Sequence, residues 1–121
     1  MNEKGKKGES LAACYLEKKG YTVVVRNYHS RYGEIDLICR KDGYLVFVEV
    51  KERKASSFAE PLEAVTAKKR EKLLLTAEQY LMREEGLSCL QPRFDAVAVI
   101  EKDGNYSFCH IENAFGEGGW Y

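Results

Sequence analysis

Near the start of the chain Leu11, Ala12, Tyr15 and Leu16 recur at helical spacing on one face, and Gly20 follows as a left-handed cap. The pattern predicts a helix from about residue 6 to 19. Tyr21 to Arg26 is β-branched and aromatic and reads as a strand, ended by the turn formers of Asn27 to Gly33. Strands over Glu34 to Arg40 and Leu45 to Lys51 flank Asp42-Gly43, both of which accept the positive φ of a tight primed hairpin turn. Glu52 to Glu60 is charged, small and aperiodic, and is expected to be a loop or irregular crossover. Pro61 suits a helix start, and Leu62, Val65, Leu73, Leu74, Ala77 and Leu81 form a stripe through about Glu85, closed by Gly86. Phe94 to Ile100 and Tyr106 to Ile111 complete the strands around Asp103-Gly104, and the tail from about residue 113 is expected to be ordered only by its contacts. The order α-β-β-β-α-β-β indicates an α/β fold, a mixed central sheet flanked by helices.

With 121 residues, 45% of them hydrophobic and 31% charged, residues 1–121 are expected to form one domain. A chain of this size can bury enough surface to fold without a metal or disulfides, so a metal would be there for chemistry. Nineteen Lys plus Arg balance nineteen Asp plus Glu, which excludes a strongly basic coat but not a local groove. The longest apolar run, Leu11 to Leu16, is six residues, so neither a signal peptide nor a membrane span is expected. Cysteines at 14, 39, 89 and 109 form no C-x-x-C pair and are expected to be free thiols of a cytoplasmic protein.

The hairpin carries the candidate chemistry. With Asp42-Gly43 at its centre, paired residue numbers add to 85, so Asp36 faces Glu49 and Glu34 faces Lys51. Two directly opposed carboxylates repel unless a proton or a cation lies between them. Glu49 interrupts LVFVEV and Asp36 interrupts EIDLI, runs typical of strands buried on both faces, where an isolated carboxylate is costly. Oxygen ligands of this kind, with water and the backbone carbonyl of Val50, suit Mg²⁺ or Mn²⁺. Lys51, two residues beyond Glu49, shares its face and can orient water or balance a phosphate. The same four residues also read as an ion-pair ladder on a solvated face. A three-residue turn would shift the register and carry Glu49 to the other side.

Gly33-Glu34-Ile35-Asp36-Leu37-Ile38 followed by Val48-Glu49-Val50-Lys51 resembles the D...E-x-K core of the restriction-endonuclease-like superfamily. More closely, Gly8-Glu9, Arg26-Asn27, GEIDLI, FVEVK, Arg93-Phe94-Asp95 and Glu112-Asn113-Ala114-Phe115, in this order, resemble the uncharacterised bacterial YraN family over nearly the whole chain. The resemblance implies a nuclease-type fold similar to archaeal Holliday-junction resolvases, in which an acidic residue of the first helix joins the hairpin carboxylates. Here that residue is Glu9. Ala12, Ala13 and Leu16 share its helical face and should point to the sheet. A carboxylate favoured by the helix dipole is the other reading of Glu9.

The expectation is therefore a Mg²⁺- or Mn²⁺-dependent endonuclease. Asp36, Glu49, Glu9 and Val50 would hold the metal, Lys51 would stabilise the attacking water or the phosphate, and Glu34 would support Lys51. Lys6, Lys7, Arg53, Lys54, Lys68 and Lys69 are candidate phosphate contacts to DNA, with RNA left open. Cutting two strands symmetrically would need a homodimer. The other expectation is a nucleic-acid-binding or protein-interaction module that keeps the fold without turnover. Arg93 with Asp95 reads as a structural ion pair, and His29 and His110 have no partner at ligand spacing.

Overall fold

The computed structural model of the chain describes residues 3–54, 67–116 and 119–120, with side chains over 7–54 and 67–114. Helix α1 (Glu3–Lys18) precedes three strands, β1 (Thr22–His29), β2 (Glu34–Lys41) and β3 (Tyr44–Lys54). Helix α2 (Ala67–Arg83) then leads to β4 (Gln91–Lys102), β5 (Asn105–Gly116) and the two-residue β6 (Gly119–Trp120). The six strands lie side by side in chain order, and only β3 and β4 are parallel. Apart from the short β6 this is the expected α-β-β-β-α-β-β arrangement. No described helix is long and apolar enough to cross a membrane.

Both Asp-Gly pairs turn as expected. Asp42 and Gly43 have φ of 48° and 85°, Asp103 and Gly104 of 52° and 81°, and each pair joins directly paired strand ends, Lys41 to Tyr44 and Lys102 to Asn105. The β2–β3 register follows, with partners adding to 85 from Lys41 and Tyr44 to Leu37 and Val48.

Three elements depart from the sequence reading. Strand β1 runs on through Asn27 to His29, because Asn27 takes a φ of 53° within the strand, and the turn is confined to Ser30–Gly33. Glu52–Lys54, expected to begin a loop, continues β3, since β4 supplies a backbone partner as far as Lys54 opposite Glu101. The tail is also more regular, with β5 reaching Gly116. The loop over 55–60 and the helix start at Pro61 lie outside the described residues.

Alternation along β3 divides the core. Val46 and Val48 join Ala12, Ala13 and Leu16 of α1, whereas Leu45 and Phe47 join Leu73, Ala77 and Tyr80 of α2. Helix α1 comes close because Gly8 is buried without a side chain, and a Cβ there would lie 2.5 Å from Glu52 Cγ and Cδ. That approach places Glu9 over the sheet. Tyr28 is a packing residue, its ring edge-on to Tyr80 at 5.1 Å and its hydroxyl donating to Gln79 at 3.2 Å. The four cysteines are free. Burial, then the charge of Asp95, pushes the Cys39 thiol up to about 12, so it stays protonated and unreactive.

On the α1 face Asp95 is fully buried. It accepts from Arg93 Nε and from an Arg93 terminal nitrogen, both at 2.9 Å, from His110 Nε2 at 2.8 Å and from the Asn113 amide at 2.9 Å. The register of β4 with β5 shifts between Phe94 and Ala96, and Asn113 adopts a φ of 54°. His110 is also ordered from behind, with Lys19 Nζ 2.7 Å from Nδ1. An ammonium only donates, so Nδ1 accepts and Nε2 carries the proton given to Asp95. Burial alone would raise the Asp95 carboxyl, but His110, Arg93 and the Asn113 amide outweigh it and hold Asp95 below its ordinary value. The ion pair expected of Arg93 and Asp95 is thus the centre of a larger network, and His110 belongs to it.

Removing this acceptor leaves Arg93, whose side chain is only 12% exposed, without its buried carboxylate and with only the exposed Glu112, 4.0 Å away, as an acidic partner. Asp95→Ala is therefore expected to cost about 3–5 kcal/mol of stability in urea unfolding at neutral pH. A loss below about 1 kcal/mol would contradict the structural role given to this network.

Candidate active site

The β2–β3 backbone ladder runs only as far as Leu37 and Val48. In an unbroken register Val50 would stand opposite Ile35, but its amide donates instead to Asp36 Oδ2, at 2.7 Å. A side chain has taken the place of the next ladder bond. The alternation of β2 breaks at the same point, since Ile35 and Ile38, an odd number of residues apart, both pack in the α2-side core.

Glu49 lies beside this break, on the α2 side of β3, where Lys69 Nζ of α2 meets its Oε1 at 3.0 Å. Gly33, Glu34, Asp36, Glu49, Lys69 and Lys72 line a cavity of about 130 Å³. The expected juxtaposition of Asp36 and Glu49 is therefore present, produced by a parting of the strands rather than by a continuing ladder.

Glu9 approaches from the α1 side. It hydrogen-bonds the Asn27 side chain, and partial burial first, then the charge of Glu34, raises its carboxyl above the ordinary range against the pull of Arg26 and Asn27. The Asn27 φ that extended β1 thus also brings a partner to Glu9. Glu34 Oε2 lies 3.3 Å from His29 Nδ1, and the register that would set Glu34 opposite Lys51 is not carried on by backbone pairing. Lys51 follows Glu49 by two residues on β3 and, by strand alternation, projects to the same side.

Asp36 concentrates the electrostatic effect. Burial first, then the charge of Glu49, push its carboxyl up from 3.8 to about 7, with Glu9 and Glu34 adding to the rise and only the Val50 amide opposing it. Four carboxyl groups of α1, β2 and β3 thus act on one another.

The remaining candidates separate. Lys69, expected to be a groove lysine, is drawn into the acidic cavity, whereas Lys68 is exposed on α2. Lys7, Arg53 and Lys54 line a different cavity of about 230 Å³. The Lys6 side chain is outside the described residues. The part played by Lys69 had no signal in the sequence, because it depends on where α2 docks.

The sequence model of the uncharacterised protein family UPF0102 matches residues 8–99. The chain belongs to UPF0102. Among relatives, a UPF0102 protein of Syntrophomonas wolfei is 47% identical, covering 93% of this chain and 97% of its own. A UPF0102 protein of Desulforapulum autotrophicum is 44% identical over 92% of this chain and 91% of its own. That of Carboxydothermus hydrogenoformans is 41% identical over 92% and 93%. The family is the one the sequence resemblance pointed to, also known as YraN, and the matched span of this UPF0102 chain contains Glu9, Glu34, Asp36, Glu49 and Lys51.

The direction of the Asp36 shift predicts an unusual pH profile. Below about pH 4 the group is protonated in both folded and unfolded chains. Between about 4 and 7 the unfolded chain ionises it and the fold does not, so the metal-free protein loses stability as pH rises through that window. The loss attributable to Asp36 is up to about 4 kcal/mol, and Asp36→Asn, which keeps an acceptor for the Val50 amide, should remove it. Thermal melts of both proteins across the window test this. Parallel profiles would show that Asp36 titrates normally.

Proposed function

We propose that this UPF0102 protein is a metal-dependent endonuclease that hydrolyses DNA phosphodiester bonds in branched or single-stranded substrates. The observation that carries the reading is the meeting of Asp36 and Glu49 in one cavity at the parting of β2 and β3. The donors are all oxygen, which suits a hard divalent cation. Among the described residues no group of three His, Cys, Asp or Glu makes a ready metal cage. The reading therefore rests on the two carboxylates Asp36 and Glu49, a number that can suffice for Mg²⁺ or Mn²⁺ when water completes the shell.

Asp36 and Glu49 would hold the cation, with Glu9 positioning its water and the Val50 carbonyl available beside them. A bound ion would supply a more acidic water and neutralise charge on the phosphate. Hydrolysis adds hydroxyl to phosphorus and a proton to the leaving oxygen as one P–O bond breaks. The Val50 amide fixes the Asp36 carboxyl, and Lys69 balances Glu49, a charge that a bound cation would also meet. Lys51, on the strand face shared with Glu49, is suited to orient the water or to meet the phosphate charge.

The Lys69–Glu49 pair also favours a second reading, a nuclease-derived binding module in which a lysine ammonium does the work of the metal. The two readings diverge in one experiment, cleavage of branched, flapped and single-stranded DNAs with Mn²⁺ or Mg²⁺, run beside binding in EDTA. The nuclease reading expects cleavage by the parent and a loss of at least about a hundredfold in Asp36→Asn and Lys51→Ala, both still folded by circular dichroism. Undiminished cleavage by Asp36→Asn would refute the site. No parental cleavage together with EDTA-resistant DNA binding would establish the module instead.

A further inference from the structure

The second cavity lies away from the carboxylates, where the first turns of α1 meet the end of β3 and the β4–β5 hairpin. About 230 Å³ in volume, it is lined by Lys7, Glu52, Arg53, Lys54, Glu101 and Tyr106. We propose that this cavity holds one unpaired nucleotide of the strand whose phosphodiester bond lies at Asp36 and Glu49, with its base against Tyr106 and its phosphates on Lys7, Arg53 and Lys54. The proposal rests on the nucleic-acid reading of the carboxylate site and adds the class of substrate, single-stranded rather than duplex.

Three observations carry it. The first is the connection between the two cavities. Strand β3 is paired with β4 up to Lys54, but its ladder with β2 ends at Val48. Among the described residues no strand pairs with that edge of β3 beyond Val48. Glu49 and Lys51 project to the α2 side of this stretch, whereas Glu52 and Tyr106 lie on the α1 side, so a strand joining the two cavities would pass around this edge of β3. From Glu49 to Arg53, four residues of strand span about 13 Å, the reach of a few nucleotides.

The second is the chemistry of the lining. A bare phosphate site would be uniformly cationic, whereas this cavity adds two carboxylates and an aromatic ring to its three cations. Carboxylates accept from the exocyclic amines of bases, cations pair with phosphates, and a ring offers a stacking face to any base. The volume is below the roughly 300–1,000 Å³ of pockets for drug-sized ligands and suits a fragment such as one base.

The third is the state of Tyr106. Its ring is partly buried against the α1-side core and so held in place, while the exposed Lys7 ammonium lies 5.2 Å from its centroid. A cation over the ring occupies the position that a base would take. Lys7 is long and exposed, so it can exchange the ring for a phosphate when a base arrives. A base inside a duplex already has both faces stacked and would have to leave the helix to reach Tyr106.

The test is binding of a fluorescein-labelled single-stranded oligodeoxycytidylate, whose bases carry an exocyclic amine, and of the matching duplex, in EDTA so that nothing is cleaved. Tyr106→Leu should weaken single-strand binding about tenfold, within the range known for loss of one stacked base, and leave duplex binding nearly unchanged. Tyr106→Trp and Tyr106→Phe should retain it. Lys7→Ala and Arg53→Ala should each lower the salt dependence by about one phosphate contact. A 2-aminopurine in the single strand should be quenched by the parent and by Tyr106→Phe, a readout that survives even if Tyr106→Leu folds poorly. Equal binding by the folded Leu variant, absence of quenching, or no single-strand binding by the parent would each overturn the proposal. Because binding is read without metal, a parent that binds through Tyr106 but cleaves nothing refutes the nuclease reading alone. Cleavage that is indifferent to Tyr106 refutes the subsite alone.

Discussion

A strand that outruns one of its neighbours organises this protein. β3 pairs with β4 along its whole length but with β2 only to Val48, and the surplus carries Glu49, Lys51 and Arg53. Backbone groups there need partners, and Asp36 supplies one by accepting from the Val50 amide. The side chain that completes the sheet is the same one that faces Glu49. The cavity at Asp36 lies where the shared ladder ends.

Two aspartates, Asp95 buried and Asp36 half-buried, show how environment assigns different roles to one side chain. Asp95 meets a guanidinium, an imidazole and a backbone amide, and its carboxyl is held below its ordinary value. Asp36 has one amide against it and Glu49, Glu9 and Glu34 around it, and its carboxyl rises to about 7. The first arrangement is closed and serves the fold. The second crowds carboxyl groups around Asp36 while the nearby Lys69 ammonium is engaged by Glu49, and a carboxyl perturbed in this way is a pattern common at functional sites.

Much of this was readable in the residues. Asp42-Gly43 set the hairpin register through turn geometry as far as Leu37 and Val48, and Asp36 and Glu49 are the next residues, at the point where the strands part. Helical spacing put Glu9 on the face of α1 that packs on the sheet. Harder to read were the two asparagines of the resemblance motifs. Asn27 and Asn113 both adopt positive φ, and each turns a donor onto a carboxyl, Glu9 in one case and Asp95 in the other. Their residue type permits that backbone, but nothing local says which acidic residue will be met.

The sequence by itself determined the element order, both Asp-Gly turns, the β2–β3 register and the membership of UPF0102, because each rests on local backbone preference or on short-range patterning. Tertiary structure decided where that register stops, that Lys69 reaches Glu49, that His110 and Lys19 close around Asp95, and that Lys7 lies over Tyr106. These contacts join residues 15 to 99 positions apart. Such pairs are set by how α1 and α2 seat on the sheet, which no local pattern encodes.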